Sequence, residues 1–160
     1  MTGYIKPGVT LTKGVWTVCR KWSNALDGTV IRDFEEVLES EGIKDLIQHN
    51  KTKKTYTYEG RTVEFIGIDK EQKVRGAKRA VLHCNEANEL TWKEYKQLNR
   101  RTVHRVYLDF NPDDEDIWIN KELEEKRLPI EKDVELIVST YKDNPFLPKE
   151  LVREIELDKD

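Results

Sequence analysis

The chain has 160 residues, enough for one domain with a real core. Charged residues and hydrophobic residues each make up 37%, and the net charge is −3. This balance excludes a globally basic nucleic-acid binder, and no apolar stretch is long enough to span a membrane. No signal peptide is visible, because Lys6, Pro7 and Lys13 break the first apolar run. Four Trp, six Tyr and four Phe supply core anchors. Cys19 and Cys84 both sit in apolar runs and read as reduced, small core residues. The expectation is a soluble intracellular protein.

Residues 1–14 carry Gly3, Pro7, Gly8 and Gly14 and little periodicity, and read as an irregular lead-in. No G-x-x-x-x-G-K-[ST] pattern occurs anywhere, so no phosphate-cradling loop can be placed. Val15-Trp16-Thr17-Val18-Cys19 is β-branched and aromatic and predicts a strand, ending in Arg20-Lys21. Val30, Ile31, Phe34, Val37 and Leu38 recur at helical spacing, with Thr29 as a cap and Gly42 as a stop.

Residues 54–66 predict a hairpin. Tyr56 and Tyr58 alternate on one strand, Glu59-Gly60 turns, and Val63 and Phe65 alternate on the return. Lys51, Lys53, Lys54 and Arg61 give it a basic outer side. Such lysines protect a sheet edge or contact a phosphate backbone. Residues 67–78 read as a charged connector.

Arg79-Ala80-Val81-Leu82-His83-Cys84 then reads as a buried strand, and Asn85-Glu86 follow at its carboxyl end. In nucleotide hydrolases an acid in that position binds magnesium or polarises the attacking water. The plain alternative is a core strand followed by a solvated turn. Thr91-Trp92-Lys93-Glu94 is a capping box, and Arg100-Arg101 suit the far end of its helix. Arg105 to Phe110 predicts another strand, ending in Asn111-Pro112. Residues 113–116 are acidic and read as solvated. Ile117, Trp118 and Leu123 predict a short helix, Val134 to Ser139 a strand, and Pro148 the first turn of a last helix. Alternating strands and helices with one inserted hairpin predict an α/β layer fold with a mainly parallel sheet. Such sheets bind ligands at the carboxyl ends of their strands.

The order of these pieces resembles the ATPase domain of a phage terminase large subunit, in the family related to the prophage PBSX. The resembling residues are Phe65 to Asp69, Lys73-Val74-Arg75-Gly76, His83 to Leu90, Gln97 to Arg101, Leu108 to Pro112 and Thr140 to Pro148. The resemblance implies a partial P-loop NTPase of the ASCE type, a three-layer sandwich, over residues 15–160. It further implies a motor that uses ATP with Mg2+ to package double-stranded DNA in the host cytoplasm. That motor works as a homo-oligomeric ring with a portal protein and a terminase small subunit, away from any membrane.

Carried over by position, Glu86 is the Walker B catalytic carboxylate. Asn85 stands where many relatives have an acid, and magnesium sits near this pair through ATP. Asn111 with Pro112 matches the coupling motif. Arg75 is a candidate arginine finger for a neighbouring subunit, and Arg20 lies near the nucleotide. Lys51, Lys53, Lys54 and Arg61 are candidate DNA contacts. Relatives carry a Walker A loop before the first strand matched here and a nuclease after the last element. Neither is visible in this sequence, so the chain alone is not expected to hydrolyse ATP. Two other readings stand beside this one. One is a non-catalytic remnant or interaction module that binds DNA, portal or other terminase subunits. The other is an unrelated α/β domain with Glu86 simply exposed.

Overall fold

A computed structural model describes residues 14–69, 78–111, 117–127, 129–130 and 134–157. The irregular lead-in falls outside these residues except for Gly14. Two compact units divide the chain, a larger one ending at Ile119 and a smaller one from Asn120. No helix among the described residues is long and apolar enough to cross a membrane.

The larger unit is built on a six-stranded sheet. Its strands are β1 (Val15–Arg20), β2 (Gln48–Asn50), β3 (Thr55–Tyr58), β4 (Arg61–Gly67), β5 (Arg79–Cys84) and β6 (Thr102–Leu108). They lie in the order β2-β3-β4-β1-β5-β6. Strands β4, β1, β5 and β6 run parallel, while β2, β3 and β4 form an antiparallel extension on one side. This is the expected α/β sheet with its inserted hairpin. The turn residues Glu59 and Gly60 both have positive φ, 46° and 77°, as a tight hairpin matched to strand twist requires.

Strand β2 has no counterpart among the expected elements. It is polar and exposed throughout, so no alternation marks it. Pairing with β3 holds it, and His49 stacks on Tyr56 with ring centroids 4.1 Å apart.

Alternation along β1 builds two cores. On one face Val18 joins Leu26, Ile31, Leu38, Tyr56 and Phe65, with Phe34 packed between the rings of Tyr56 and Phe65. The helix α1 (Arg32–Ser40) covers this face. On the other face Thr17 and Cys19 lie in register with Leu82 and Cys84, all fully buried. The helix α2 (Trp92–Asn99) buries Tyr95 and Leu98. Arg20 and Lys21 show the same alternation. Arg20 reaches Thr29 ahead of α1, while Lys21 pairs with Glu94 of α2 at 2.5 Å.

The capping box forms as expected. Thr91 accepts from the Glu94 amide, and Glu94 accepts from the Thr91 amide. Thr29, however, does not cap α1. A wide turn over Asp27–Ile31 runs directly into the helix and already satisfies the first amides, Ile31 donating to the Leu26 carbonyl. The Thr29 hydroxyl donates instead to the Ala25 carbonyl. Gly42 does stop α1. Its φ of +67° lets Ile43 donate to Leu38 and Gly42 to Glu39, the two bonds of a Schellman end.

The smaller unit has a helical turn at Asn120–Glu124, a short turn at Tyr141–Asp143 and the helix α3 (Lys149–Leu157). The strand expected over 134–139 is not there. The segment pairs with no strand among the described residues, and Ile137 and Val138 are 80% and 75% exposed. A β-branched run supplies only the propensity. A strand also needs a neighbour for its amides.

Candidate functional site

The parallel register brings the carboxyl ends of β1, β5 and β6 side by side. Strand β5 ends at Cys84, and the chain then turns at Asn85-Glu86. Both flanking strands hold this turn. The Asn85 amide donates to the Cys19 carbonyl at 2.9 Å, and the Asp109 amide donates to the Cys84 carbonyl at 3.1 Å. Glu86 adopts left-handed backbone angles, φ 53° and ψ 56°. A glutamate rarely occupies this region, and such outliers concentrate at functional sites.

Asp109, the first residue beyond β6, supplies what Glu86 needs. Its Oδ1 accepts from the Asn85 side-chain amide at 2.9 Å and from the Glu86 backbone amide at 3.1 Å. Its Oδ2 lies 2.6 Å from His83 Nε2. Its carbonyl accepts from the Ala87 amide at 2.8 Å. Burial pushes the Asp109 carboxyl up, but the bonds from His83, the Glu86 amide and Asn85 outweigh it. The carboxyl is therefore held below its ordinary range. An ionised carboxylate only accepts hydrogen bonds, so His83 carries its hydrogen on Nε2.

The amide at position 85 follows from this arrangement. It donates one N–H to Asp109 and keeps its oxygen for another partner. Asn85→Asp sets a second carboxylate about 3 Å from the first. The substitution is expected to cost about 1–3 kcal/mol at pH 7. Like charge raises the folded pKa of a carboxyl, so its cost is present above that pKa and is relieved as pH falls through it. Urea titrations at pH 7 and about pH 4.5, near the ordinary carboxyl range, check this, and an equal cost at both would count against it.

An open cleft of about 260 Å3 lies at these strand ends, lined by Arg20, Thr29, Val30, Asp33, Asn85 and Glu86. Arg20 is anchored there by Nη1 donating to Thr29 Oγ1 at 2.9 Å, with its Nε 3.9 Å from Glu89. A larger cleft of about 390 Å3 lies along β2 and the hairpin turn, lined by Leu46, Gln48, Thr57, Tyr58, Glu59 and Gly60. It has no parallel strand end and no cation in its lining, so the smaller cleft is the candidate site.

The structure brings Asn85, Glu86 and Arg20 to this one cleft. Asn111 is exposed, two residues beyond Asp109. Arg75 and Pro112 lie outside the described residues. The basic hairpin lies toward the opposite edge of the sheet, its strand β4 separated from β5 by β1. Two of its four cations are already paired, Lys54 with Asp27 at 2.5 Å and Arg61 with Glu59 at 3.8 Å. Lys51 and Lys53 are exposed. Sequence reasoning missed Asp109, His83, Thr29 and Asp33. A signal existed for His83, a polar residue inside an apolar strand.

Glu86 and Asn85 are hard oxygen donors on one cleft. They could hold waters of a magnesium ion that takes its direct ligands elsewhere. Among the described residues no group of three or more His, Cys, Asp or Glu gathers that could hold a metal unaided.

Among curated proteins none matches the chain. Solved structures of the large terminase from a thermophilic bacteriophage do match it. One crystal form superposes with a TM-score of 0.79 at 19% identity, over 92% of this chain and 38% of that one. The complex with ADP gives 0.75 at 22% identity, over 92% and 37%. The complex with ATP-gamma-S gives 0.74 at 20%, over 92% and 36%. This chain thus spans under two fifths of the length of those proteins. The likeness fixes the fold as the mainly parallel α/β sheet that those terminases contain. The model of the family described as phage terminase large subunit matches residues 10–160, nearly the whole sequence, and the chain belongs to that family.

Proposed function

We propose that this chain forms the water-activating and coupling part of an ATP-driven motor that packages double-stranded DNA. The observation that supports it most is the junction of the β5 and β6 tips. Glu86 lines the cleft with Arg20, and Asp109 ties it to the strand that leads to Asn111. Glu59 holds a similar backbone in an exposed hairpin turn, but Glu86 is in addition tied to a neighbouring strand.

In this reading Glu86 orients and activates the water that attacks the γ-phosphate. The Asn85 amide oxygen would hold a water of a magnesium ion brought with ATP. Magnesium, when bound with ATP, neutralises charge on the phosphates. Asn111 and Pro112 respond to the γ-phosphate, and Arg75 reaches the ATP of a neighbouring subunit in a ring, where a guanidinium stabilises transferring oxygens. Arg20 stands beside the nucleotide. Lys51 and Lys53 are the cations of the hairpin best placed to meet DNA, while Lys54 and Arg61 serve ion pairs first. Portal protein and a small subunit complete the assembly in the host cytoplasm.

The phosphate cradle must come from residues other than these, since the sequence has no Walker A pattern. The chain alone is therefore expected to show a melting shift under about 1 °C with millimolar MgATP, because only tight binding to the folded state stabilises it. Mixing it with a Walker A segment of a large terminase and double-stranded DNA is expected to give DNA-stimulated ATP hydrolysis. A shift of several degrees for the chain alone would contradict the missing cradle. Absence of hydrolysis from every mixture would sink the motor reading in favour of a non-catalytic interaction module.

A further inference from the structure

Glu86 owes its position to a residue on another strand. Left to itself, a glutamate relaxes to negative φ, a swing on the order of 100° that redirects its side chain. Four bonds at Asp109 oppose this relaxation. Oδ1 takes the Glu86 amide and the Asn85 side chain, the carbonyl takes the Ala87 amide, and the Asp109 amide holds Cys84. His83 fixes the other oxygen at 2.6 Å and so sets the rotation of the carboxylate. An ordinary parallel pair needs only its ladder of backbone bonds. Here a side chain of one strand bridges to the turn of the next, and only a carboxylate can accept on both sides at once.

We propose that Asp109 is a positioning residue that aims Glu86 into the cleft, with His83 orienting Asp109. This rests on the reading of Glu86 as the water-activating carboxylate. Asp109 touches neither nucleotide nor water in this scheme. It acts through the backbone of Glu86 and Ala87. Because Asp109 precedes Asn111 by two residues on one continuous segment, a displacement of the β6 tip moves the acceptor of the Glu86 amide. The tip is then the lever that aims or releases the carboxylate.

The test uses the 160-residue chain labelled with 15N, with Asp109→Ala and Asp109→Asn. In Asp109→Ala the Glu86 and Asn85 donors lose their acceptor. Exchange of the Glu86 amide is expected to rise about tenfold or more, while the Val18 and Phe65 amides keep their rates. The Asp109→Asn variant keeps the shape and is decisive if the alanine variant does not fold. An amide accepts on one side only. Either its oxygen faces Glu86 and His83 moves its hydrogen to Nδ1, seen in the ring 15N shifts, or it faces His83 and Glu86 exchange rises. Either result supports the clamp. Unchanged exchange together with an unchanged ring tautomer overturns it.

In a reconstituted motor, Asp109→Ala is expected to lower kcat for ATP about tenfold to a hundredfold with KM unmoved, since a misaimed base loses transition-state contacts and not ground-state binding. A rise in KM with kcat intact would overturn the aiming role. A wild-type motor that hydrolyses no ATP overturns the role of Glu86, whereas the clamp is decided by the exchange and ring measurements.

Discussion

Glu86→Gln in a reconstituted motor is expected to lower ATP turnover by about 10²–10⁴-fold, the usual contribution of a positioned general base. The amide keeps the length and shape of the glutamate side chain but cannot take a proton. The backbone that holds position 86 is bonded through its own amide to Asp109, so the turn should survive the change. Glu86 is only half-buried, and stability should move by no more than about 0.5 kcal/mol. In the proposed reading nucleotide affinity should also hold, because the phosphate cradle is supplied by other groups. The measurement is turnover beside affinity for a non-hydrolysable analogue. Turnover within about threefold of wild type would remove Glu86 from the chemistry. A parallel fall in affinity would mean the residue binds rather than catalyses.

Leu82→Ala is expected to be the most destabilising simple truncation in the sheet. Leu82 is fully buried in β5, with Thr17 of β1 on one side and Val106 of β6 on the other. Removing a buried leucine loses its transfer energy and leaves a cavity, together about 2–5 kcal/mol. For a chain of this size that lowers the melting temperature by about 10 °C. Strand β5 is paired on both sides from Val81 to Cys84, so the backbone cannot close around the void. A cost under about 1 kcal/mol would mean that the site collapses freely, against its place between two parallel neighbours. Because Leu82 lies just before His83 and Cys84, a cavity there also loosens the strand end that carries Asn85 and Glu86.

The sequence is legible where one segment decides its own structure. The capping box at Thr91 and Glu94, the stop at Gly42 and the turn at Glu59-Gly60 all need only nearby residues. Strands β1, β4 and β5 announce themselves by apolar alternation or runs. Glu86 is visible as an acid after a buried strand. Its left-handed backbone is not, because that depends on Asp109 arriving from a strand 23 positions later. The same holds for His83, whose partner is known only once β5 and β6 are neighbours. Strand β2 and the segment 134–139 show opposite failures. One is polar and pairs, and the other is β-branched and pairs with no described strand. Pairing partners, not propensity, separate them.

The order of strands in space has a consequence for synthesis. Among the described strands β1 leaves the ribosome first, yet it ends in the middle of the parallel sheet, flanked by β4 and β5. Val18 faces Phe65 on one side and His83 on the other. No sheet neighbour for β1 exists until β4 has emerged, and its second edge stays open until β5 follows. During that interval the hairpin of β3 and β4 can close locally, since Tyr58 and Arg61 pair across a two-residue turn. Until β5 follows, the central strand keeps one edge bare, a condition in which nascent chains attract chaperones or one another. The tip at Glu86 is thus among the last features to form. It requires β6 and Asp109, so the turn at Glu86 is held only once both flanking strands are in place.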